Sequence, residues 1–261
     1  MTHQGASEYT ARKEFEIEGV TQMRFTQFKC QYFNFETIIC ADVFCGTGTN
    51  VVGDEVVDGS PIRLLRGYLK AKNHRQNIDF WFSDIRKSAC DMLQYQIKQQ
   101  FGKDMAPNHM DAANAVNELG NRLEQNPDAY LFLVLDPNGP KQFPKIEVEQ
   151  LIRLYPRRID VIPYISATTI NRCLGARDKA GFEFRGWLGG IEDFDTGFVS
   201  ALSADNRRGW IREPIDGDRQ RWTMIPTFGR MPPRNGWKKQ GYVDLNSDAG
   251  RSVVQFYCGG K

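Results

Sequence analysis

The residues Asp42-Val43-Phe44-Cys45-Gly46-Thr47-Gly48 follow the apolar run Thr37-Ile38-Ile39-Cys40, and together they read as a buried strand ending in a tight glycine turn. Such a turn brings backbone amides close to a ligand, because glycine has no Cβ to stand between them. Three acids occupy comparable positions further along. Asp84 comes directly after the strand-like run Ile78–Ser83, where a carboxylate can accept hydrogen bonds from both hydroxyls of a ribose. Asp111 opens a helix-like stretch from which it could reach an adenine amino group. Asp136-Pro137-Asn138-Gly139-Pro140 follows the apolar run Tyr130–Leu135, and its prolines and glycine force an irregular turn that exposes Asp136 and nearby backbone groups. Ligands of parallel α/β sheets gather at the carboxyl ends of the strands, so the four features in this order describe a seat for a nucleoside. Singly, each has an ordinary alternative: Asp84 and Asp111 as helix caps, Asp136 as a turn former, Asp42 as a structural hydrogen-bonding acid.

The pattern discriminates among cofactors. A dinucleotide turn calls for G-x-G-x-x-G and an acid about 20 residues on. Here Val51 stands where the third glycine would be, and Asp84 lies 36 residues past Gly48. No G-K-S/T follows the turn, so a P-loop is excluded. S-adenosylmethionine carries no phosphate and needs only adenosine and amino-acid contacts, and it fits better. For transfer to an exocyclic amine, Asp136 and the Pro137 carbonyl could orient the nitrogen. Amino-methylating sites usually read D-P-P-Y; Asn138 and Gly139 replace the last two residues here. Phe143, Tyr164 and Trp187 are candidates to stack on a substrate, with core packing the ordinary alternative, and Arg207 and Arg208 are candidates to contact it. None of the six cysteines follows a proline, which argues against cysteine attack on a pyrimidine, and none forms a C-x-x-C pair. No metal site and no disulfide framework are expected.

These groups need elements to hold them. Strands are expected at Ile38–Phe44, Ile78–Ser83, Tyr130–Leu135 and Ile159–Ile165. Ser60-Pro61 predicts an N-cap and first-turn proline for a helix carrying Ile62, Leu65 and Leu69 on one face. Ile85, Ala89, Met92, Leu93 and Ile97 predict a second helix closed by Gly102; Val116, Leu119 and Leu123 a third; Val148, Leu151, Ile152 and Tyr155 a fourth, stopped by Pro156. Strand–helix alternation of this kind predicts a parallel α/β sheet. Arg221–Thr227 and Ser252–Tyr257 read as two late strands that could pair antiparallel. The expected organisation is an arm or helix over residues 1–36, then one domain over 37–261, with an insertion near 180–220 (a helix near Thr196–Ala204) and a loop near 229–250.

The 261 residues carry 34 Lys and Arg against 32 Asp and Glu, but the charge is unevenly spread. Residues 1–150 hold 16 basic and 20 acidic side chains; residues 151–261 hold 18 and 12, the basic ones mostly Arg. Arginine pairs with phosphate and stacks on bases, so nucleic acid is the expected partner, with a solvated surface the plain alternative. The polar N-terminus and the lack of a long apolar run predict no membrane span and a cytoplasmic setting.

Asp42-Val43-Phe44-Cys45-Gly46-Thr47-Gly48 resembles the first motif of class I S-adenosylmethionine-dependent methyltransferases, in the D-x-F-x-G-x-G form met among nucleic-acid methyltransferases. The longer order resembles the three-Cys-motif partner protein family: the turn, a short acidic loop, Gly59-Ser60-Pro61 heading a helix, an acid after the second strand, then Asp136-Pro137-Asn138-Gly139. The resemblance implies a Rossmann-like, mostly parallel seven-stranded sheet with an antiparallel terminal hairpin. It also implies that Asp42, Phe44, Gly46 and Gly48 surround the methionine end of S-adenosylmethionine, Asp84 takes the ribose and Asp111 the adenine. The expected function is methyl transfer to DNA or RNA. The alternatives are a small-molecule or protein methyltransferase, or a non-catalytic subunit that works through a protein partner.

Overall fold

The computed structural model of the chain describes residues 8–29, 33–72, 75–137, 142–166, 208–212, 222–224, 227–228, 242–244 and 247–258. They fall into two compact units, Met1–Leu131 and Phe132–Lys261.

The first unit is built on parallel strands. The β1 strand (Thr37–Asp42) pairs in parallel with β4 (Asn77–Asp84), Asp42 standing opposite Phe82, and β4 pairs in parallel with the short β5 (Asn108–His109), Asp84 opposite His109. All of β1 after Thr37 is buried, as its continuous apolar run requires of a strand covered on both faces. Both strands therefore end at the acids singled out above. Between β1 and β4 come a small antiparallel hairpin, β2 (Thr49–Val52) with β3 (Glu55–Asp58), and the helix α2 (Ser60–Ala71). Helices α3 (Lys87–Phe101) and α4 (Ala112–Gln125) follow β4 and β5. Ala89, Leu93 and Ile97 of α3 and Val116, Leu119 and Leu123 of α4 are buried, as their spacing predicts. Gly102 closes α3, its N–H donating to the Lys98 carbonyl.

Three expectations in this unit need correction. Ser60 is the first residue of α2 and Gly59 its N-cap; the Ser60 hydroxyl is not free to cap because it donates to Asp42. Ile85 lies before α3 and is exposed, because the chain turns around Asp84 before the helix begins. Leu69 and Met92 have helical spacing yet face solvent, each at the margin of an apolar stripe narrower than the spacing alone implies.

The N-terminal segment forms α1 (Glu8–Phe28), which packs along α2. Ile17, Val20, Phe25 and Phe28 are buried, and so is Arg24. Its guanidinium bonds to Gln27 Oε1 at 3.0 Å and Tyr130 Oη at 3.2 Å and lies 4.7 Å from the centre of the Phe28 ring. Hydrogen bonding and an aromatic face replace the water that such a charge loses. Glu18 of α1 receives Arg63 at 2.7 Å and Lys70, both from α2. Burial alone would raise the Glu18 pKa; the hydrogen bonds and charges of Lys70 and Arg63 outweigh it and hold the carboxyl below its ordinary value.

The helices meet closely at Gly67. A Cβ there would lie 2.7 Å from both the Glu18 carbonyl oxygen and Thr21 Cβ. Alanine would add up to about 1 kcal/mol of helix propensity, but wedging a methyl against backbone costs about 1–3 kcal/mol. Gly67→Ala is therefore expected to lower the urea unfolding midpoint; an unchanged or higher midpoint would show that α1 and α2 separate freely.

The second unit continues the strand β6 (Ala129–Leu135) into α5 (Lys145–Leu154) and β7 (Ile159–Ser166). Val148, Leu151 and Ile152 of α5 are buried, and Tyr155 is its C-cap, just ahead of Pro156. The strands beyond β7 are β8 (Arg208–Arg212), β9 (Trp222–Met224), β10 (Thr227–Phe228) and β11 (Tyr242–Asp244), in the order β11-β8-β10-β7-β6, with β9 also on β7. The β7–β9, β7–β10, β8–β10 and β8–β11 pairings are all antiparallel.

Here the late-strand expectation fails. Ser252–Tyr257 lies inside a helix, α6 (Asp248–Cys258), so it does not pair with Arg221–Thr227, which itself splits between β9 and β10. Val253 and Val254 favour strand by type, but local start signals decide: the Ser247 hydroxyl accepts the Gly250 N–H at 3.0 Å, and Asp248 sits in the first turn. The expected loop near 229–250 holds β11 and the start of α6, and β8 falls in the expected insertion near 180–220. The helix expected near Thr196–Ala204 lies outside the described residues. Among the described residues no helix is long and apolar enough to cross a membrane.

Candidate functional site

The site is built where β1 and β4 end. Gly46 and Gly48 adopt φ of +56° and +78°, so the chain reverses through the left-handed region at both glycines. At Gly48 the turn is also closed to side chains: a Cβ would stand 2.6 Å from Leu93 Cδ1. Each strand end then donates or accepts into this turn. Cys45 N–H donates to the Ser83 carbonyl at 3.0 Å, and Gly46 N–H to Asp84 Oδ2 at 3.0 Å. On the other side, Gly59 N–H donates to the Gly48 carbonyl at 2.8 Å and ties the turn to the start of α2.

Asp42 is wholly buried and works inward. Its Oδ1 accepts the Phe44 N–H at 2.9 Å and its Oδ2 accepts the Ser60 hydroxyl at 2.6 Å. In these contacts it fixes the path of the turn from beneath.

Asp84 works at the rim. Besides Gly46 N–H it accepts the Arg86 N–H at 2.9 Å and the Arg86 guanidinium through both oxygens, Nε to Oδ1 at 3.0 Å and an Nη2 to Oδ2 at 3.3 Å. It does not cap α3, whose N-cap is Arg86 and has no side-chain cap bond. Its own carbonyl accepts the Met110 N–H at 3.2 Å, which brings the β5–α4 loop alongside. Asp111 stands in that loop as the N-cap of α4, with Asn114 N–H on Oδ1 and the Asn114 side chain on Oδ2. His109 beside it contacts the Ile85 carbonyl through Nε2 at 2.9 Å.

The thiols nearby are shielded. Burial first, then the charge of Asp42, pushes the Cys45 thiol far above its ordinary value, and burial raises Cys90 as well. Neither presents a thiolate at neutral pH.

Asp42, Phe44, Gly46, Gly48, Asp84 and Asp111 thus lie on adjoining strand ends of one unit. Asp136 and Pro137 come directly after β6 in the second unit and are half-buried. Tyr164 is buried in β7, opposite Met224 of β9. The backbone of Arg208 lies in β8, opposite Phe228. Asn138, Trp187 and Arg207 lie outside the described residues. Motif reading puts Gly59 and Ser60 at the head of a helix but misses what they do here: the Ser60 hydroxyl anchors Asp42 and Gly59 clamps Gly48. Arg86, which covers Asp84, it misses altogether, and its one local trace is a base two residues after the rim acid. Among the described residues no cluster of His, Cys, Asp and Glu could hold a metal ion.

No family model and no curated protein matches the chain in sequence. Among solved structures, its fold is similar to that of a Legionella pneumophila str. Philadelphia 1 protein, with a TM-score of 0.50 at 10% identity over 94% of this chain and 92% of that one. The plantazolicin methyltransferase BamL, solved with S-adenosylhomocysteine, gives a TM-score of 0.47 at 11% identity over 85% of this chain and 87% of that one. An O-methyltransferase from Bacillus cereus, also with S-adenosylhomocysteine, gives 0.42 at 12% identity over 85% and 91%.

Proposed function

We propose that the strand ends of the first unit seat S-adenosylmethionine and that the protein transfers its methyl group to a nucleic acid. The observation that carries this reading is the joining of the glycine turn to Asp84: a left-handed Gly46 donates its N–H to the rim acid at the end of the adjoining parallel strand. That juxtaposition supports reading the turn as the methyltransferase first motif and Asp84 as its ribose acid.

The chemistry of the residues also fits the group. Two carboxylates, Asp42 and Asp84, stand at the turn, a setting that repels a pyrophosphate but suits hydroxyl donors and a cationic sulfonium. At Gly46 no atom of the described residues lies within 4 Å of where a Cβ would stand, so the turn backbone there is open to close approach. When bound, S-adenosylmethionine supplies an electrophilic methyl on sulfur. Gly46 and Gly48 would pass its amino-acid end, Asp84 would hold the ribose and the Asp111 loop would flank the adenine. Holding the reactants in line accounts for much of the rate in such a displacement.

The nucleic-acid substrate rests on the basic balance of residues 151–261 and on the D-x-F-x-G-x-G form of the turn. One residue pattern favours a second reading: Asn138 and Gly139 in place of Pro and Tyr leave room for a non-catalytic subunit with a protein partner, as the likeness to three-Cys-motif partner proteins implies.

Calorimetric titration of S-adenosylhomocysteine into the wild type and Asp84→Ala tests the cofactor. Micromolar affinity is expected, lowered at least about tenfold by the loss of a charged acceptor. A folded wild type with no binding at millimolar ligand would overturn the reading. Labelled-methyl transfer to DNA and RNA then separates enzyme from subunit. The enzyme reading expects incorporation and a binding constant that falls steeply with salt; binding of the cofactor without transfer to either nucleic acid would favour the subunit.

A further inference from the structure

Asp84 is offered more donors than a rim acid awaiting a diol should hold. An ionised carboxylate has about four acceptor sites. Here four contacts within hydrogen-bond distance converge on it: the N–H groups of Gly46 and Arg86, and two from the Arg86 guanidinium. The two sets differ in kind. The backbone donors are fixed by the turn and by the start of α3. The guanidinium is a half-exposed side chain free to leave, 56% accessible against 8% for the Asp84 side chain. It also grips the carboxylate through both oxygens, as a vicinal diol would with its two hydroxyls.

We infer that Arg86 is a built-in competitor for the diol seat on Asp84: a vicinal diol enters only as the guanidinium leaves, while the Gly46 and Arg86 N–H bonds remain. This rests on the cofactor reading above. The exchange is close to balanced in hydrogen bonds, two given up for two made, so it sets affinity rather than forbidding entry. Arg86 thereby weakens binding of the ribose that it admits.

The test titrates S-adenosylhomocysteine and its 2′,3′-dideoxy analogue into the wild type, Arg86→Ala and Arg86→Lys, with thermal melts to confirm folding. The exposed pair is modest in energy, so Arg86→Ala is expected to bind S-adenosylhomocysteine about two- to fivefold more tightly. Its affinity for the dideoxy analogue should not fall. Arg86→Lys, a point charge without the fork, should lie between the two. Raising salt should tighten binding to the wild type, by screening the pair, and leave Arg86→Ala unmoved. A wild type that binds while Arg86→Ala binds equally or more weakly overturns the inference and leaves the cofactor reading standing. No binding to any variant overturns both. Should Arg86→Ala fail to fold, the Lys variant and the salt series decide alone: looser binding in Lys, or a wild-type affinity that falls with salt, overturns the inference.

Discussion

Gly48→Ala will cost far more than Gly46→Ala, although both glycines sit in the same turn with positive φ. At Gly46 the φ is +56° and, its chain neighbours aside, no atom of the described residues lies within 4 Å of the position a Cβ would take, so alanine meets backbone strain alone among them. Left-handed backbone costs an L-residue about 1–2 kcal/mol. At Gly48 the φ is +78° and the new methyl would meet Leu93 Cδ1 at 2.6 Å, with Ile62 Cγ1 at 3.4 Å behind it. Leu93 and Ile62 are both fully buried, so neither can swing out to solvent, and overpacking adds about 1–3 kcal/mol. The sum for Gly48→Ala is about 2–5 kcal/mol, to be read from urea unfolding beside Gly46→Ala. The same shift would move the Gly48 carbonyl off the Gly59 N–H and open the turn, so cofactor affinity should fall with stability. Equal costs at the two positions would sink the packing half of this argument. It would mean that Leu93 yields and that glycine is present for its φ alone.

Why Gly48 needs its place illustrates what the sequence shows and what it conceals. The glycine turn, the strand before it and the acid after the second strand are legible because each is a local pattern: a continuous apolar run, a G-x-G pair, an acid at a strand end. Helices α3 and α4 are legible for the same reason, since Leu93, Ile97, Val116 and Leu119 recur at helical spacing. What joins these pieces is not local. Leu93 lies 45 residues from Gly48, and nothing in the spacing of either announces the contact. Ser60 has the type and position of an N-cap, and only the approach of Asp42 draws its hydroxyl away from that task. The misreading of Ser252–Tyr257 runs the other way: β-branched and aromatic residues outweighed the serine and aspartate just before them, and the capping bonds of Ser247 show which signal governs. Arg86 marks the furthest reach of local inference. Its distance of two residues from Asp84 is visible, but whether a neighbouring base pairs, caps or points to solvent is decided by the turn that the chain makes around the acid.

Asp42 should prove the structural anchor of the site, with Asp42→Ala destabilising by about 2–6 kcal/mol while Asp42→Asn is nearly tolerated. The buried carboxylate accepts two donors from different elements, the Phe44 N–H of the turn and the Ser60 hydroxyl of α2. Alanine leaves both without this acceptor, at about 1–3 kcal/mol for each buried group. Asparagine keeps one carbonyl oxygen for the Phe44 N–H and offers an amide N–H₂ in place of the other. A serine hydroxyl can rotate from donor to acceptor, so the bond to Ser60 reverses rather than breaks, and the loss should be about 1 kcal/mol. The discriminating measurement is a double-mutant cycle of Asp42→Asn with Ser60→Ala, followed by urea unfolding. Ser60→Ala removes the hydroxyl from a buried carboxylate in the wild type but from an amide in the Asn variant. The costs should therefore differ, with a coupling of about 0.5–3 kcal/mol for residues in contact. No coupling would show that Asp42 stabilises through other contacts. It would also detach α2 from the argument, leaving the Gly59–Gly48 clamp as the tie between helix and turn. A measured coupling would instead make the start of α2 part of the site, since displacing Ser60 would then move Asp42, and with it the N–H of Phe44 and the turn that carries Gly46 to Asp84.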